Sequence, residues 1–285
     1  MEPDPPRGRA RHVLWLGRAG LVELDAARAA LAGVPGCVVT LREALDRGPP
    51  LPAPPDCIVL ADDRAGEWTT ERVLGVTRRL PLVPVVAVSG SLADGRRRSG
   101  PTLPGVEEIP WHDLAGRLAA WFADLDRGTA GSIGLPPTSR REDRILAGHA
   151  ALAPSAAPPH GAVAVVAGDR QDLEGLVDLV RVCGHRTGAT RVGRPSIDTL
   201  EPILVWDVRG LSPEDLEWLR LLSANRPGLA TVLLDSFPRG DSSADALAAG
   251  AAAVLGRPTS REVLAGTLAS LASRGRGGGA AGREG

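Results

Sequence analysis

The sequence predicts an α/β protein built from two doubly wound parallel-sheet domains in tandem, each with five strands. Three observations carry this. Short apolar runs alternate with longer amphipathic stretches, the pattern of buried parallel strands joined by helical crossovers. The same order of elements occurs twice along the chain. Corresponding strand ends also keep one spacing: Ala61 lies 146 positions before Asp207, and Ser89 lies 146 before Asp235. A length of 285 residues suits two such domains.

The first domain is expected over residues 12–127, after a flexible, Pro-rich start at 1–11. Residues 12–16 read as a buried strand, and 21–31 as a helix with Leu21, Leu24, Ala27 and Leu31 on one stripe. Residues 37–41 form a second strand, and the proline-rich 48–55 continues neither helix nor sheet. A third strand at 57–60, a helix at 69–80 and a fourth strand at 83–88 follow. The Gly- and Arg-bearing segment 95–105 reads as a loop. The domain closes on a helix at 114–125, with Leu114, Leu118, Trp121, Phe122 and Leu125 at spacings of three and four.

Residues 128–160 turn to Ser, Pro, Gly and Ala around a short charged segment, Arg140 to Arg144, and read as a linker. The second domain is expected over 161–273. It starts with a strand at 162–166 and a helix striped by Leu173, Leu176, Val177 and Val180, which Gly184 ends. A strand at 203–206 precedes a helix at 213–222 with Ser212 as N-cap and Pro213 in its first turn. A strand at 230–234, a helix at 241–249 and a strand at 252–255 come next. Ser260 caps the last helix, lined by Val263, Leu264, Leu268 and Leu271. The Gly/Arg tail, 274–285, is expected to be disordered.

Composition narrows the chemistry. A formal charge of −1 offers no basic excess for general nucleic-acid binding. All the cationic side chains are Arg, so no mechanism needing a lysine amine operates here. The three cysteines, Cys37, Cys57 and Cys183, lack metal-ligand spacing and read as small hydrophobes in a reducing compartment. No apolar run is long enough to span a membrane, and no signal core follows the start, so a cytoplasmic location is expected.

The stretch 202–273 resembles the response-regulator receiver (CheY-like) family. An apolar run ends on Asp207, and the run from Ala246 to Pro258 carries Gly250, Arg257 and Pro258 in the family's order. The likeness extends over 162–272, and more weakly over 12–125. It implies a flavodoxin-like fold with strand order 2-1-3-4-5 in each domain. It also implies where receiver chemistry would sit. In receivers, two acids after the first strand hold Mg²⁺, an Asp after the third accepts a phosphoryl group, a Thr or Ser after the fourth reports it, and a Lys after the fifth contacts it.

Carried onto this chain, that pattern is largely stripped. In the second domain the acid pair is Ala167 and Gly168, with Asp169 one place later. Asp207 holds the acceptor position, Asp235 and Ser236 the reporter position, and Arg257 the Lys position. In the first domain Gly17 and Arg18 replace the acids, and Ala61 replaces the acceptor with Asp62 and Asp63 beyond it. Ser89 is retained there, while Ile109-Pro110-Trp111 stand near the Lys and Pro positions. Two arrangements of Asp207 are open: an internal pair with Arg257, shared with Asp235, or a solvated strand end.

The expectation is therefore a non-catalytic pseudo-receiver that docks signalling partners independently of phosphorylation. It has no cofactor and no metal, and a homodimer through the fourth-helix to fifth-helix face is one form. The alternatives are a phosphoacceptor using Asp207 and a small-ligand-binding module. Gly17-Arg18-Ala19-Gly20 looks like a phosphate-binding turn, yet lacks the third Gly and a ribose-binding acid. Arg96-Arg97-Arg98 reads as a solvated loop.

Overall fold

Alternation along the strands decides the architecture. The computed structural model describes residues 9–18, 20–62, 67–91, 103, 105–129, 131, 133, 135, 142–143, 146 and 160–278. Arg96-Arg97-Arg98, Asp63, residues 279–285 and most of the linker, Arg140, Arg141 and Arg144 included, lie outside the described residues. The chain divides into two compact units, residues 1–111 with 121–152 and residues 112–120 with 153–285.

The first sheet comprises β1 (Arg11–Leu16), β2 (Cys37–Arg42), β3 (Cys57–Asp62), β4 (Val85–Ser89) and β5 (Glu107–Pro110). In the chain, α1 (Val22–Ala32) follows β1, α2 (Thr70–Arg79) follows β3 and α3 (Leu114–Asp126) follows β5. The strands are all parallel, in the order β2-β1-β3-β4-β5. On one face Leu14, Leu16, Ile58, Leu60, Val85 and Ala87 pack with Val73 and Val76 of α2. Their alternate neighbours Val13, Trp15, Cys57, Val59, Val86 and Val88 are equally buried on the other face. The prolines after β2 leave no helix before β3, so a long loop stands where a crossover helix would cover the sheet.

The second sheet comprises β6 (His160–Ala167), β7 (His185–Val192), β8 (Ile203–Arg209), β9 (Ala230–Asp235) and β10 (Ala251–Gly256), in the order β10-β9-β8-β6-β7. Read in chain order, this is again 2-1-3-4-5. Its helices are α4 (Arg170–Val182), α5 (Pro213–Asn225), α6 (Gly240–Ala248) and α7 (Arg261–Gly278). Val163, Val165, Ile203, Val205 and Val232 meet α4 and α7 on one face. Ala164, Val166, Leu204, Trp206 and Leu233 meet α5 and α6 on the other. Two flavodoxin-like α/β units thus stand in tandem.

Two boundaries differ from expectation. The last helix continues through Arg274 to Gly278 instead of giving way to disorder at 274, because extending a formed helix is easier than nucleating one and no proline stops it. Strand β6 begins at His160, inside the segment expected to be linker.

The α5 cap is a full capping box: Ser212 Oγ accepts the Asp215 N–H, and the Asp215 carboxylate accepts the Ser212 N–H and hydroxyl. Ser212→Ala is expected to lower stability by about 1 kcal/mol. A shift of a few degrees in the thermal midpoint checks it.

Candidate functional site

Strand register aligns the two crevices residue by residue. Val13 pairs with Cys57 as Val163 pairs with Ile203, so Gly17 and Ala167 occupy the same place after the first strand. The Trp111 N–H donates to the Ser89 carbonyl at 3.0 Å, and the Arg257 N–H donates to the Asp235 carbonyl at 2.8 Å. Trp111 therefore stands in the first unit where Arg257 stands in the second. The Lys position of the first unit is filled by an indole.

In the second unit the crevice is a closed network of charges. Asp207, at the end of β8, is only 4% exposed. Arg257, leaving β10, places Nη1 3.0 Å and 3.2 Å from the two Asp207 carboxylate oxygens. Its Nη2 lies 3.1 Å from Asp172 Oδ1. Asp172 sits in the first turn of α4, whose N-cap is Asp169; the Asp169 carboxylate accepts the Asp172 N–H at 2.9 Å. Arg209 closes the network from the other side. Its Nε donates to Asp172 Oδ2 at 3.0 Å, and its Nη2 pairs with both Asp172 and Asp169.

The backbone aims Arg209 at this cluster. Strand β8 carries an extra residue between Asp207 and Arg209 relative to β9. Arg209 then takes a left-handed φ of 57°, which a bulky residue adopts only at a cost of about 1–3 kcal/mol. Its own N–H donates to Asp207 Oδ1 at 3.1 Å, which holds the turn. A strained residue pinned by two carboxylates is a feature the surrounding charges maintain.

Burial raises the Asp207 carboxyl above its ordinary range; Arg257 and the Arg209 N–H pull it back, while Asp172 pushes it up further. Asp169 is lowered, first by the Asp172 N–H and then by Arg209. Arg209 is held more firmly protonated by Asp172 and Asp169.

Of the residues singled out in the sequence, Asp169, Asp207 and Arg257 come together. Asp235 does not share Arg257. It is buried, but its carboxylate accepts the Phe237 N–H at 3.1 Å in its own turn, and Asp172 is the second carboxylate on Arg257. Ser236 is tied by its N–H to the Arg209 carbonyl. Asp172 and Arg209 were not legible as site residues. One reads as an ordinary first-turn acid, and the other becomes visible only through the bulge.

The first unit brings fewer groups together. Gly17 has a φ of 141°, and a Cβ there would lie 2.6 Å from the Ala61 Cβ. Chain ends β1 and β3 approach so closely that no acid fits at 17. Asp62 and Ser89 are both buried, in register across β3 and β4, and the Ser89 hydroxyl has no hydrogen-bond partner among the described residues. Glu23 of α1 accepts the Ser91 N–H at 2.6 Å and hydroxyl at 2.7 Å, which anchors the end of β4.

The Mg²⁺ implied by the receiver resemblance does not fit the crevice of the second unit. Mg²⁺ demands near-octahedral oxygen ligands. Positions 167 and 168 carry no side-chain oxygen, and Asp169, Asp172 and Asp207 are all engaged by guanidinium groups. A dication would have to displace two arginines held on three carboxylates.

No protein-family model matches the chain, and no curated protein does. Solved structures of receiver domains are similar to about two fifths of it. A pilus assembly-related protein from Burkholderia pseudomallei is 27% identical over 40% of this chain and 91% of its own, with a TM-score of 0.38. A CheY-like receiver domain protein from Methanospirillum hungatei is 15% identical over 43% and 99%, at 0.36. The signal receiver domain of a response regulator from Mycobacterium tuberculosis is 16% identical over 41% and 98%, at 0.37.

Proposed function

We propose that the chain is a phosphorylation-independent signalling protein of receiver shape that docks protein partners and catalyses nothing. The observation that carries this is the pairing of Asp207 with Arg257 at 3.0 Å, inside a network that Asp172 and Arg209 complete. Phosphoryl transfer depends on electrostatic assistance from a metal and a positioned cation. Here the cation is already spent on the acceptor carboxylate, and the acids that would bind metal are replaced or paired. The second unit is thereby held in one state by internal charges instead of a removable phosphate.

The partner surface in this proposal is the fourth-helix side of the second unit, around α6. Phe237, 80% exposed just before α6, and the exposed Leu247 on α6 give it an apolar anchor. Among the described residues no helix is long and apolar enough to cross a membrane.

Incubation with Mg²⁺ and acetyl phosphate, read by intact mass, is expected to give no phosphoryl adduct. Beryllofluoride with Mg²⁺ is expected to leave the thermal midpoint unmoved, since a ligand must bind the folded state to stabilise it. An adduct that disappears in Asp207→Asn would instead establish a phosphoacceptor.

A further inference from the structure

The proline loop after β2 has a second consequence in the first unit. With no helix over that part of the sheet, a cavity of about 470 Å³ opens beside α2, within the size range of small-molecule sites. Leu16, Leu45, Trp68 and Val76 give it an apolar floor, and the Trp68 ring is fixed by its N–H donating to the Ala61 carbonyl at 2.8 Å. In the second unit the equivalent loop is tied down instead: Trp218 Nε1 donates to the Pro195 carbonyl at 3.0 Å, and Arg226 to those of Thr199 and Leu200.

Arginines from separate segments converge on the cavity: Arg18 after β1, Arg47 in the proline loop, and Arg72 and Arg79 on one face of α2. Glu43 is neutralised by Arg47 at 2.5 Å. Arg72 rests on the Glu67 carbonyl at 2.7 Å, and Arg18 and Arg79 make no ion pair among the described residues. Among the described residues Asp46 and Glu67 also line the space, so three arginines face two acids there. A neighbouring depression of about 360 Å³ shares Leu45, Asp46 and Arg79 and adds Arg42.

Gly75 is an exposed position of α2 on the rim of this space. Glycine in a helix interior is unfavourable relative to alanine. Nothing lies within 4 Å of a Cβ placed at 75, so no packing neighbour requires it. It lines the cavity between Arg72 and Arg79, so a large side chain at 75 would stand at its opening.

We propose that this cavity binds a nucleotide, with its phosphates on Arg18, Arg72 and Arg79 and its base against Trp68 and Leu45. Guanidinium groups suit phosphate through paired N–H donors, and an indole beside an apolar floor suits a flat heterocycle. The site lies apart from the charge network of the second unit and does not depend on the docking proposal.

The test is calorimetric titration of the full chain with ADP, GDP, CDP and UDP, alongside pyrophosphate and guanosine. At least one nucleoside diphosphate is expected to bind, pyrophosphate about tenfold more weakly, and guanosine not measurably. Arg18→Ala with Arg79→Ala should weaken binding by about tenfold or more. Gly75→Leu should abolish it while leaving the thermal midpoint equal or higher, because leucine is the better helix former. Absence of binding by every nucleotide at about 1 mM, or unchanged binding in a folded Gly75→Leu protein, overturns the site. Pyrophosphate binding as tightly as the nucleotides overturns the base subsite.

Discussion

Arg257→Ala is expected to destabilise the protein by about 2–3 kcal/mol at neutral pH, because it strands the Asp207 carboxylate without its counter-ion. Removing one partner of a fully buried pair costs about 3–5 kcal/mol. The Arg257 side chain is 29% exposed, and Asp207 keeps the Arg209 N–H, so the lower figure applies. The pH dependence follows from the direction of the Asp207 shift. Its carboxyl is raised in the folded state, so between the unfolded value and the raised one the folded chain binds more protons. The Asp207 contribution to stability therefore falls as pH rises through that window and levels off above it. Arg257 is the strongest influence lowering this group, so its loss extends the window upward. The deficit of Arg257→Ala should shrink between pH 7 and pH 5 in urea unfolding. Adding Asp207→Asn, which removes the charge but keeps the shape, should recover about 1 kcal/mol or more at pH 7. A deficit below about 0.5 kcal/mol for Arg257→Ala would show that water, not Arg257, satisfies Asp207.

Gly17→Asp and Gly168→Asp restore an acid at the two crevices, and their outcomes should diverge. At 17 the backbone is left-handed and the new Cβ would lie 2.6 Å from that of Ala61 and 3.1 Å from its carbonyl oxygen. Strained backbone and overpacking each cost about 1–3 kcal/mol, so a total loss of about 2–6 kcal/mol is expected. At 168 the nearest atom is Arg209 Nε at 3.5 Å, an ordinary contact, and the carboxylate would face a cation. Gly168→Asp should change stability by no more than about 1 kcal/mol. Paired thermal and urea melts of the two variants measure this difference. A Gly17→Asp protein as stable as the parent would mean that the first crevice has room its backbone does not show.

Much of the candidate site was legible because it depends on strand ends. Asp207 follows a four-residue apolar run, Ile203-Leu204-Val205-Trp206, and Arg257 closes another, so the sequence alone marks both positions. Asp169 was found one position off the acid pair, and it proves to be a helix cap. Asp172 was hidden among the acids of an amphipathic helix, where a first-turn carboxylate is the ordinary expectation. Arg209 was hidden because it lies beyond the apolar run that marks the strand, and its place in the network is set by the bulge and left-handed turn there. Whether Asp235 shares Arg257 was open in the sequence, because an acid at a strand end can turn to its own backbone as readily as to a neighbour, and here it does.

The sequence by itself determined the class and topology: buried strands announce themselves as apolar runs, helical stripes as spacings of three and four, and long crossovers leave parallel pairing as the arrangement. It also determined that lysine chemistry is absent. Only the tertiary structure decided which charges meet, that Gly17 closes one crevice, and that the proline loop leaves a cavity beside α2. Those outcomes depend on the distances between ends of different strands, and residues far apart in sequence set them together.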